Sequence, residues 1–136
     1  MTSPNDVIAT PLLAPHNLGI ATMLTYALIA FAIAALGGLF LASHVLRGKL
    51  APWAVSVLHA LLGATGLVLL LVEVLQGTPA ARVTAALALL LLAALGGFYL
   101  ATLHLRKTIA PKVVVLLHAG LAVTGFLVLL SAVLAA

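Results

Sequence analysis

Four long apolar runs dominate the chain, at 18–46, 52–75, 79–105 and 111–134. Each exceeds the roughly 20 residues that an α-helix needs to cross about 30 Å of hydrocarbon. The runs are continuous and rich in Ala and Leu. They lack the strict alternation of a membrane β-barrel strand, so the pattern predicts four helices. Pro52, Pro79 and Pro111 stand where a first helical turn has spare backbone donors, a position that tolerates proline. Thr78 is placed to cap the third helix. The connections at 47–51, 76–78 and 106–110 are so short that consecutive helices must be antiparallel neighbours. The predicted fold class is all-α: an integral membrane four-helix bundle. It forms a single transmembrane domain over 1–136, with 1–17 as an external N-terminal tail.

The pattern repeats. Ala35-Leu36-Gly37-Gly38 recurs as Ala94-Leu95-Gly96-Gly97, and Arg47 as Arg106. Ala51-Pro52 recurs as Ala110-Pro111, Leu58-His59-Ala60 as Leu117-His118-Ala119, and Thr65-Gly66 as Thr124-Gly125. Every match has the same offset of 59 residues, and about half the positions from 35 to 71 are identical. A generic Leu/Ala composition does not align Arg, His, Pro and Thr-Gly in step. The chain therefore reads as two tandem helical hairpins, about 18–76 and 79–135. Two spans per unit give both units the same topology, with a pseudo-twofold axis along the membrane normal.

Composition agrees with the pattern. Of the 136 residues, 65% are apolar and 6% charged, against about 25% charged in a soluble domain. The net charge of +4 reflects scarce acids rather than a dense basic patch, so nucleic-acid binding is not expected. There is no cysteine, which removes disulfides, thiolate metal sites, iron–sulfur clusters and covalent haem attachment. The first fifteen residues have no basic start and no clear cleavage site, so a removable signal peptide is not expected. Five of the six basic residues flank two turns: Arg47 and Lys49 at one, and Arg106, Lys107 and Lys112 at the other. The positive-inside rule then places both turns in the cytoplasm and both termini outside. The expected location is a bacterial inner membrane.

Five histidines stand out among so few ionisable groups. His59 and His118 share one repeat position, seven residues beyond the prolines that open the second and fourth helices. At 1.5 Å per residue they lie roughly 10 Å along the helix, inside hydrocarbon. If both face the bundle axis, they confront each other. Small residues on the same stripes allow close approach. Gly37-Gly38 and Gly96-Gly97 fall near the same depth on the other two helices, leaving a slot suited to a porphyrin edge. Two neutral imidazoles on facing helices are a way to hold haem b in a bundle core. Here His59 and His118 would be the metal ligands, with Arg47 and Arg106 near the haem propionates. The competing reading is a pair of interhelical hydrogen-bonding histidines partnered by Ser56, Thr65 or Thr124.

His44 and His104 lie near the ends of the first and third helices. In the repeat they are out of step: His44 aligns with Leu103, and His104 with Val45. Both are candidate cofactor neighbours, with interfacial solvation as the plainer reading. His16 reads as a solvated loop residue. Glu73 reads as a solvated helix end, paired with Arg82, more than as a proton relay. Trp53 fits an interfacial anchor. Walker, dinucleotide and HExxH motifs are missing, and Asp6 and Glu73 form no carboxylate pair for hydrolysis. No catalytic residue is assigned.

The histidine and glycine placement resembles the four-helix membrane-embedded b-type cytochromes. The resemblance rests on His59 and His118 within two spans, His44 and His104 near the ends of the others, and glycines at matching depth. It implies electron transfer between a quinol or other donor and a redox partner. The chain also looks superficially like small multidrug transporters, but its first helix lacks their membrane-embedded glutamate. The leading functional expectation is a small haem-binding electron-transfer protein or cytochrome subunit. The alternative is a non-catalytic accessory subunit packed within a larger membrane complex.

Overall fold

The computed structural model describes residues 15–77 and 79–135. They form α1 (Pro15–Leu46), α2 (Trp53–Gln76), α3 (Ala81–Leu105) and α4 (Lys112–Val133). All four helices are long and apolar enough to cross a membrane, as an integral membrane protein requires. The helix ends fall close to those predicted. The largest difference is at α1, which begins at Pro15, because proline with its preset φ is well suited to a first turn. His16, expected in a loop, therefore lies in that first turn. Residues 15–17 of the expected tail are helical, and 1–14 lie outside the described residues.

Pro52 and Pro111 are the N-caps of α2 and α4, with extended backbone. The N-cap of α3 is Ala80, not Thr78, which lies outside the described residues. Pro79 and Ala80 hold an extended entry, and the helix starts one residue later. The 47–51 and 106–110 turns end their helices in the same way. Gly48 N–H donates to Val45 O and Lys49 N–H to His44 O, while Lys107 N–H donates to His104 O and Thr108 N–H to Leu103 O. This is the Schellman arrangement, which uses a left-handed residue just past the helix. Gly48 takes that conformation at φ 70°, and Lys107 takes it at φ 55°.

Each helix packs on two neighbours. α1 lies against α2 and α4, and α3 against α4 and α2. The diagonals are α1/α3 and α2/α4. The core is concentrated at one end, formed by the first halves of α1 and α3 and the last halves of α2 and α4. It joins Leu24, Ala27 and Phe31 to Leu70, Val83, Ala86, Leu87, Leu90, Leu129 and Ala132. Close approach there depends on two glycines. A Cβ on Gly66 would lie 2.8 Å from the Phe31 ring, and one on Gly125 would lie 2.8 Å from Leu90 Cγ. Phe31 and Leu90 are 59 residues apart, as are Gly66 and Gly125. Large apolar side chains away from this core, such as Leu36, Leu95 and Phe98, are exposed on the outside of the bundle.

Glu73 is buried within the packed end, at 6% exposure. This corrects the reading of a solvated helix end. α2 continues to Gln76, and Glu73 lies one turn beyond the fully buried Leu70, at the end where the core is packed. Arg82 is exposed and donates from Nη1 to Ser131 O at 3.4 Å.

Candidate functional site: a histidine pair across the bundle

The less densely packed half of the bundle, toward the 47–51 and 106–110 turns, holds four of the five histidines, His44, His59, His104 and His118. The His59 Nδ1 lies 2.8 Å from Ala34 O, and the His118 Nδ1 lies 2.8 Å from Ala93 O. Each bond crosses from one helix of a hairpin to the other. The glycine pairs make it reachable. A helical carbonyl at residue i points toward the side chains at i+3 and i+4. For Ala34 those positions are Gly37 and Gly38, and for Ala93 they are Gly96 and Gly97. With hydrogen in place of Cβ, the carbonyl is uncovered and the imidazole lies against the helix backbone.

Contact geometry bears this out. A Cβ at Gly38 would come 3.0 Å from His59 Cε1, and one at Gly97 would come 3.2 Å from His118 Cε1. Cβ atoms at Gly37 and Gly96 would meet the His59 and His118 Cβ atoms at 3.7 and 3.5 Å. What the glycines admit at this level is the imidazole of their own hairpin.

A carbonyl oxygen only accepts, so each Nδ1 carries the proton. The neutral ring then keeps its lone pair on Nε2. Among the described residues, each imidazole makes this one hydrogen bond. The Ser56, Thr65 and Thr124 hydroxyls are not its partners, for each donates to a carbonyl of its own helix, at Pro52, Leu61 and Gly120. A hydroxyl on a helix finds the carbonyl four residues back more readily than a side chain across the bundle. The histidines do hydrogen-bond between helices, but to backbone.

The two half-buried rings meet across the α2/α4 diagonal. Their centroids are 6.2 Å apart and their planes are inclined at 76°. A metal ion held by two imidazole nitrogens, at about 2.0–2.1 Å from each, needs ring centroids roughly 6 Å apart. A ligating histidine also commonly gives its other N–H to a backbone carbonyl, which fixes tautomer and ring orientation. Donor type and tautomer are those of metal-ligating imidazoles, and the two rings lie within reach of a single ion. Among the described residues no cluster of three or more His, Asp or Glu is present.

The other candidates lie elsewhere. His44 Nδ1 is 3.0 Å from Phe40 O, and its ring tilts against Phe40 at 4.6 Å. His104 stacks on Trp53 with centroids 4.7 Å apart and planes within 3°. Neither joins the His59–His118 pair. Arg47 and Arg106 are exposed in the turns. Sequence reasoning missed Ala34 and Ala93 as acceptors, although both lie three residues before a Gly-Gly pair and match in the repeat. It also missed the Trp53–His104 stack, for which the repeat offers no counterpart: the matching positions are Lys112 and Val45.

No protein-family model, curated protein or solved structure matches the chain.

Proposed function

We propose that this chain is a small membrane-embedded electron-transfer protein or cytochrome subunit, built of two tandem hairpins, that holds haem b between His59 and His118. The observation that carries the reading is the facing imidazole pair, 6.2 Å apart, with both Nδ1 atoms committed to backbone carbonyls. That commitment leaves two Nε2 lone pairs directed away from the carbonyls in surroundings poor in hydrogen-bond donors. A Lewis acid satisfies both at once. Haem, when bound, supplies a one-electron iron couple tuned by its axial ligands and its apolar surroundings.

The chain's own residues would bind and orient. His59 and His118 would hold the iron. Ala34 and Ala93 hold the imidazole planes through their carbonyls, and raise ligand basicity by accepting the Nδ1 protons. Gly37, Gly38, Gly96 and Gly97 let the rings reach those carbonyls. Arg47 and Arg106 provide cations for propionates at the turn end. The apolar helices exclude water and face lipid, with the basic turns in the cytoplasm and the termini outside. The turns and the outer helix faces are the surfaces on which a redox partner would dock.

The test is an absorption spectrum of the purified protein, oxidised and dithionite-reduced, after expression with haem supplied. A Soret band with sharp reduced α and β bands is expected. A colourless protein that co-purifies with a fixed membrane complex would support the accessory-subunit reading instead.

A further inference from the structure

The turn end of the bundle carries a second feature, a face of exposed cations of which only Arg47 and Arg106 enter the haem reading. Arg47, Lys49, Arg106, Lys107 and Lys112 are all exposed there. Glu73, the one acid among the described residues, is buried at the other end, roughly 30 Å away along α2 at 1.5 Å per residue. The cations are interleaved with exposed apolar side chains. Leu50 and Ile109, at matching repeat positions, are both exposed, as are Trp53 and Val113. The Trp53–His104 stack ties the two turns into one face, because Trp53 lies two residues past the first turn and His104 two residues before the second.

Cations mixed with aliphatic and indole side chains match one chemistry: a headgroup layer, where phosphate lies beside the ends of acyl chains. An acidic protein surface would match the charges but would leave Leu50, Ile109 and Val113 without apolar partners. We propose that this face selectively binds anionic phospholipid headgroups, with one contact region at each turn. The 106–112 region is the stronger, since it brings three cations against two. This inference rests on the membrane reading above, but not on haem.

The single tryptophan of the chain sits in the proposed site and reports on it. The full-length protein is reconstituted in vesicles of phosphatidylcholine and phosphatidylglycerol, with one or the other brominated so that it quenches Trp53 on contact. Brominated phosphatidylglycerol should quench more than brominated phosphatidylcholine at equal mole fraction. The expected preference is about fivefold, the factor corresponding to roughly one Lys or Arg near an anionic surface. Arg106→Gln/Lys107→Gln/Lys112→Gln should lower the preference more than Arg47→Gln/Lys49→Gln. Arg82→Gln, at the far end, should leave it unchanged.

Equal quenching by the two lipids in the natural protein overturns the proposal and leaves an acidic protein as the better partner. Loss of the preference on adding inorganic phosphate at matched ionic strength also overturns it, in favour of free phosphate. Where a multiple variant does not fold by circular dichroism, a salt titration of the natural protein replaces it. The preference must then fall as salt rises, and a salt-independent preference refutes the electrostatic site. A chain that alkaline carbonate strips from vesicles defeats the membrane reading itself. A chain that stays inserted with equal quenching defeats only the headgroup site.

Discussion

His59 and His118 stand edge to face across the bundle diagonal, 6.2 Å between centroids and 76° between planes. Each is anchored by one hydrogen bond to a carbonyl of its own hairpin. Neither ring is positioned by the other. Each hairpin presents one imidazole, and association of the hairpins brings the pair together. The Gly-Gly pairs therefore act on the pair indirectly, through the seats they provide.

That relationship makes the glycines separable by experiment. Gly38→Ala places a methyl group 3.0 Å from His59 Cε1, and Gly97→Ala does the same at 3.2 Å from His118 Cε1. The imidazoles must shift, and the Nδ1 bonds lengthen. Haem affinity should fall about tenfold or more for each, the scale of losing an outer-shell partner. Gly63→Ala, with open space at its Cβ, should leave affinity unchanged. Haemin titration followed in the Soret region measures all three.

At the packed end the same kind of substitution should affect stability and not the cofactor. Gly66→Ala meets three atoms of the Phe31 ring at 2.8–2.9 Å, and Gly125→Ala meets Leu90 Cγ at 2.8 Å. Overpacking of this kind costs about 1–3 kcal/mol. Gly120→Ala, which meets nothing within 4 Å, should be neutral or gain up to about 1 kcal/mol from helix propensity. Unfolding in detergent, followed by circular dichroism, distinguishes the two outcomes.

The two Schellman turns place different residues at the left-handed position. Gly48 occupies the left-handed position without strain, whereas Lys107 occupies it with a Cβ. Lys107→Gly should stabilise the protein by about 1 kcal/mol. Gly48→Ala should destabilise it by a similar amount. A higher thermal midpoint for the first and a lower one for the second is the expected pair of results.

Trp53 and His104 couple α2 to α3 at the turn end. A double-mutant cycle with Trp53→Leu and His104→Leu should give an interaction energy of about 0.5–1.5 kcal/mol. A coupling near zero would mean that the stack contributes nothing to holding the two hairpins together.

Much of this architecture was legible in the chain. The four spans follow from run length, the short turns from proline and basic residues, and the His59–His118 pairing from a shared repeat position. Burial was not legible. In a chain this apolar nearly every helix face is hydrophobic, so pattern cannot tell the side facing a neighbour from the side facing outward. Glu73 therefore read as a wet helix end although it is buried. Trp53 and His104 were obscure for a different reason. The repeat was the guide to pairing, and these two residues break it. The role of the glycines was half visible: their depth beside the histidines could be counted, but not that they uncover the carbonyls of Ala34 and Ala93.

Haem ligation by His59 and His118 is tested most directly by the reduced-minus-oxidised spectrum of haem-loaded protein compared across His59→Ala, His118→Ala and the natural chain. A low-spin bis-histidine spectrum is expected in the natural protein. Each single variant should lose it while keeping its helix content. An unchanged low-spin spectrum in either variant, or no Soret band in the natural protein with haem supplied, would contradict that ligation.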